Sequence, residues 1–101
     1  MSSQSPIHDY FVGLSSRLAR LAQAHDAEIE PPTISSRAFA EVLELAATVA
    51  HTSERKYAPL ASFVTGIAVG ELRAAGRLVS DGEIAAFIAE LRKELDVPTV
   101  R

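Results

Sequence analysis

From Tyr57 to Gly70 the chain runs 14 residues without one charged side chain, and two glycines, Gly66 and Gly70, sit inside the run. A membrane span needs about 20 apolar residues, so this segment falls short of one. Leu60, Phe63, Val64, Ile67 and Leu72 supply bulk at helical spacing, and polar positions are too few to mark a wet face. A helix that is apolar nearly all round is buried nearly all round. The expectation is a helix from about Ala58 to Ala75 at the centre of a helical domain. Pro59 suits its first turn, and Gly76 is placed as a left-handed stop.

The two glycines belong to a longer row. Ala58, Ser62, Gly66, Gly70 and Ala74 recur every four residues. That spacing puts small residues on one side of a helix, where another backbone can approach closely. Glycine inside a helix costs about 1 kcal/mol relative to alanine, and close packing would offset that cost. The row therefore either seats another helix of the same chain or forms the face of a symmetric homodimer.

Three more helices follow from periodicity. Ile7, Phe11, Leu14, Leu18, Leu21 and Ala22 make an apolar stripe over about residues 6–26, with Ser5 as cap and Pro6 at the first position. Pro31-Pro32 then breaks the pattern and stiffens the connector. Phe39, Val42, Leu43, Ala46, Val49 and Ala50 form the stripe of a helix from Ser35 or Ser36 to His51. A last helix carries Ile84, Phe87, Ile88, Leu91 and Leu95. It opens on Ser80-Asp81-Gly82-Glu83, a capping box in which hydroxyl and carboxylate satisfy each other's orphan amides. The short connector from Gly76 to Val79 makes the third and fourth helices expected antiparallel neighbours. No stretch alternates as a strand would. The sum is an all-α, four-helix bundle with a central, nearly all-apolar third helix. One domain spans residues 6–97, with a disordered Ser-rich segment at 1–5 and a tail at 98–101.

Composition narrows the function. With 48% hydrophobic residues in 101, the chain can bury enough surface to fold without a metal or staple. The absence of cysteine excludes a disulfide scaffold, a thiolate metal site and a Cys nucleophile, and it fits the cytoplasm. Thirteen acidic against ten basic side chains, a net charge of −3, leave no basic patch for nucleic acid. The first helix has too few cations for a membrane-surface helix.

The chemistry-bearing candidates gather in the loop before the third helix. His51 could exchange protons near neutral pH, and Arg55 could fork to a phosphate or carboxylate. Lys56 and the amides of the turn around Pro59 would add positive potential. The ordinary alternative is a solvated polar loop after a histidine that meets the helix dipole. His51 and Glu54 share helical spacing, but a metal needs further ligands. Ser residues lack a Gly-x-Ser-x-Gly context, and the chain has neither a P-loop nor Gly-x-Gly-x-x-Gly. No catalytic residue, metal or cofactor is expected. A protein partner or self-association is expected ahead of a small bound anion, and an independent enzyme comes last.

The stretch from Leu43 through Val49-Ala50-His51, Glu54-Arg55-Lys56 and Ala58-Pro59-Leu60 to Phe63-Val64-Thr65-Gly66-Ile67-Ala68-Val69-Gly70 resembles a small actinobacterial-type domain of unknown function. Thr52-Ser53 stands where that family often has glycine after the histidine. Such domains occur alone or appended to nucleotidyltransferases of molybdopterin-guanine dinucleotide biosynthesis. The resemblance implies a noncatalytic accessory role near molybdenum-cofactor assembly, with His51, Arg55 and Pro59 carried over as motif positions only.

Overall fold

The computed structural model describes residues 6–96. In chain order these form α1 (Pro6–Ala24), α2 (Ser36–Thr52), α3 (Tyr57–Ala74) and α4 (Asp81–Asp96). There is no strand among the described residues, so the all-α fold of four helices is as the sequence predicts. The segments expected to be a disordered start and a tail, and the Ser5 cap, lie outside the described residues.

The chain divides into two compact units, one ending at Ile34 and one beginning at Ser35. In the first, α1 closes on a left-handed residue, Asp26, with φ of 62°. The amide of Ala27 donates to the Ala22 carbonyl at 3.0 Å, and that of Asp26 to Gln23 at 3.0 Å. This is the bonding that glycine usually supports at a helix end. Beyond it the Pro31-Pro32 connector runs alongside α1, tied by the Ser15 hydroxyl, which donates to the Pro32 carbonyl. Tyr10 and Phe11 meet edge to face with ring centres 5.2 Å apart. No residue of α1 is buried.

In the second unit α2 is the shared element. It packs on α3 and, more extensively, on α4. Ala38, Val42, Leu45 and Val49 fall on one helical stripe, and Leu45, Val49 and Ile88 form the buried centre, with Val42, Ala61, Ile84 and Leu91 packed around it. Arg92 Nε donates to Glu41 Oε1 at 3.3 Å and links α4 to α2 at the edge of this core.

The central place expected for α3 therefore belongs to α2. Within α3 only Thr65 is buried. The reason lies in two apolar faces on one helix. Ala58, Ala61, Ser62, Thr65, Ala68, Val69 and Leu72 are buried or half-buried, and at about 100° per residue they fill a single arc. Most are small, so α3 lies on α2 without turning its bulky stripe inward. The core's bulk comes instead from α4. The expected neighbouring of α3 and α4 is also corrected: they hardly touch, and each leans on α2.

The helix ends follow the sequence closely. Ser35 caps α2, its Oγ accepting from the Ala38 amide at 3.1 Å. Gly76 has φ of 84°, and the Arg77 amide reaches back to the Leu72 carbonyl at 2.8 Å. The box at α4 is complete. Glu83 N donates to Ser80 Oγ at 3.1 Å, while Ser80 N donates to Glu83 Oε1 at 3.1 Å. The Val79 amide joins the same carboxylate at 2.8 Å. Because α4 supplies much of the core, Ser80→Ala is expected to lower stability by about 1 kcal/mol, read as a shift of the urea midpoint at constant m.

Candidate functional site

His51 stands in the last turn of α2 and is exposed, as are Arg55, Lys56 and Pro59. The loop is organised around Glu54. Its Oε1 lies 3.7 Å from Lys56 Nζ, with both side chains largely exposed. Its Oε2 accepts from the Tyr57 hydroxyl at 3.5 Å. The Lys56 cation thus already has a carboxylate beside it. The amides expected to face an anion are also engaged. Tyr57 N donates to the Glu54 carbonyl at 3.0 Å, and Ala58 N to the Arg55 carbonyl at 3.1 Å. Pro59 has no amide hydrogen. The side chains of His51, Arg55 and Lys56 stand open to solvent. Among the described residues no group of three or more His, Asp or Glu gathers as a metal ion would require.

The small-residue row comes out differently from a straight face. Steps of four residues drift by about 40° each on a helix of 3.6 residues per turn. Ala58 and Ser62 are half-buried on the α2 side, whereas Gly66, Gly70 and Ala74 have wound round to the exposed side. A β-carbon built on Gly66 or Gly70 would meet nothing within 4 Å. Within the second unit, α2 therefore packs on the Ala58–Ser62 end of the row and leaves its glycines open.

The feature that the sequence reading missed shares that exposed side. Leu60, Phe63, Val64 and Ile67 are exposed by 63%, 71%, 62% and 45%. Their i, i+3, i+4, i+7 spacing makes one stripe, the same spacing that predicts a core face. The signal against this was also in the sequence: a second, smaller-grained apolar stripe ran along the opposite side at the same spacing and could seat on α2. Singly exposed apolar residues are ordinary, but a contiguous stripe of them marks a contact surface. No charge interrupts it until Glu71.

In the first unit, α1 and its connector enclose a shallow apolar groove of about 560 Å³, lined among others by Phe11, Leu14, Leu18, Pro32 and Ile34. No helix of the described residues is long and apolar enough to cross a membrane. What the arrangement offers is non-covalent: apolar area on a rigid helix, beside glycines that leave room for an approaching backbone.

Neither a curated protein nor a solved structure matches the chain. Residues 6–97 match the sequence model of the family described as a domain of unknown function, DUF6457, and with nearly its whole length inside that match the chain belongs to this family.

Proposed function

We propose that the chain is a noncatalytic protein-interaction module that works through the outward face of α3. One observation carries this reading: Leu60, Phe63, Val64 and Ile67 stand exposed in a single row. Covering a side chain of this size is worth about 1.5–3 kcal/mol when burial is complete, so a partner that covers the row gains most of its affinity there. The open glycines beside it suit a closely packed helix or strand. The absence of cysteine suits a cytoplasmic module, and the sequence resemblance adds a role beside a nucleotidyltransferase of molybdopterin-guanine dinucleotide synthesis. A second copy of the chain is the other partner that this face admits.

The test replaces Phe63 by aspartate. Because Phe63 is largely exposed, the variant is expected to keep its stability within about 0.5 kcal/mol. Association is expected to be lost, read by sedimentation velocity for self-association and by co-purification with the nucleotidyltransferase. Identical sedimentation and identical co-purification of wild type and Phe63→Asp would sink the reading.

A further inference from the structure

Because α3 and α4 each lean on α2 and hardly touch each other, the wedge between them stays open as a groove of about 350 Å³. Val64 and Ala68 line it from α3, Phe87 and Leu91 from α4. The Thr65 hydroxyl, also in the lining, donates to the Ala61 carbonyl at 2.8 Å, so its proton is already placed. The polar groups of the rim are carboxylates. Glu90 and Glu94 both border the groove and are exposed, one turn apart on α4.

Arg92 is held by Glu41 at 3.3 Å, and Lys93 and Arg37 line a second groove that Glu90 also borders, so that Glu94 alone of the two carboxylates faces only the first. No ion pair found among the described residues engages Glu90 or Glu94. Glu71 continues the row of Val64 and Ala68 on α3, at i+7 and i+3, and is exposed. The groove is thus apolar along its floor and acidic along its α4 edge.

We propose that this groove receives an amphipathic helix of a partner protein, with apolar residues at i, i+3 or i+4 and i+7 toward the floor and Lys or Arg flanking them toward Glu90 and Glu94. The inference rests on the reading of the chain as an interaction module and names the chemistry of its partner. Three observations support a helix of that charge. A cleft between two helices that rest on a third has the form in which bundles seat another helix, and helix-in-groove recognition uses this anchor spacing. Neither carboxylate is engaged in an ion pair among the described residues, so basic flanks would complement them. Val64 belongs both to the groove and to the exposed stripe of α3, so the two surfaces are continuous.

The experiment uses the full chain and two fluorescein-labelled synthetic helical peptides. Both carry the same leucine stripe; one has lysine flanks and the other glutamate flanks. Fluorescence anisotropy is expected to show binding of the lysine peptide that weakens as salt rises, and at least about tenfold weaker binding of the glutamate peptide. The exposed-site double variant Glu90→Lys/Glu94→Lys, checked for an unchanged melting temperature, is expected to reverse that preference. Equal binding of both peptides to wild type, or a preference that survives the charge reversal, overturns the proposal and leaves the Phe63 test unaffected. So does no binding of either peptide. Self-association of wild type that disappears in Glu90→Lys/Glu94→Lys also overturns it, since the occupant is then a second copy.

Discussion

Replacing Leu45 by alanine is expected to remove about 3 kcal/mol of folding stability. Leu45 has no exposed surface at all, and it sits where both flanking helices meet α2. Truncation takes away its transfer free energy and leaves a cavity among Val49, Ile88 and their neighbours. A chain of this size holds about 5–15 kcal/mol in total, so one substitution removes a large share. Urea denaturation followed by circular dichroism measures it. Leu43→Ala is the matched control: it lies on the same helix, two residues away, and is 57% exposed. Its expected change is below about 0.5 kcal/mol. Equal losses for the two would mean that α2 is not the core helix.

The second large effect has the opposite sign. Gly66→Ala and Gly70→Ala together are expected to stabilise the isolated chain by about 2 kcal/mol. Each glycine is in mid-helix, where alanine is preferred by about 1 kcal/mol, and at each the added methyl meets open space within 4 Å. Part of the gain comes from the unfolded chain, which loses conformational freedom when glycine is replaced. If the outward face of α3 is a docking surface, the same methyl groups stand between it and a closely seated backbone. The double variant should then melt higher and associate more weakly, a trade of binding for stability. A variant that melts at the wild-type temperature would show that something already lies against those glycines.

The helix ends were legible because their signals are local. Ser35, Gly76 and the Ser80–Glu83 pair each act within one turn, and no distant residue can reassign them. The existence of four helices was legible for the same reason. The burial of α3 was not, because periodicity names faces without saying which one another helix will take. Two faces of α3 satisfy the helical period. The choice between them was made by α4, whose Ile84, Ile88 and Leu91 fill the space around Leu45 and Val49 and leave α3 only a small-grained contact. The row of Ala58, Ser62, Gly66, Gly70 and Ala74 shows how geometry enters: a four-residue repeat reads as a straight stripe on paper and winds by about 40° per step on a helix. At the polar loop the residue types were right for an anion. The backbone between Glu54 and Ala58 turns so that the first two amides of α3 are answered by carbonyls, which residue types alone do not reveal.

The principal pairing in the second unit joins α2 to α4, and the Glu41–Arg92 link spans 51 positions of sequence. During synthesis α2 leaves the ribosome well before the helix that completes its core, and α3, which emerges in between, offers mainly small side chains. Leu45 and Val49 therefore stay wet until the stretch from Ile84 to Arg92 has been made. For that interval the nascent chain exposes apolar surface of the kind that chaperones cover, and a chain cut short before α4 would lack Ile84, Ile88 and Leu91 from its core.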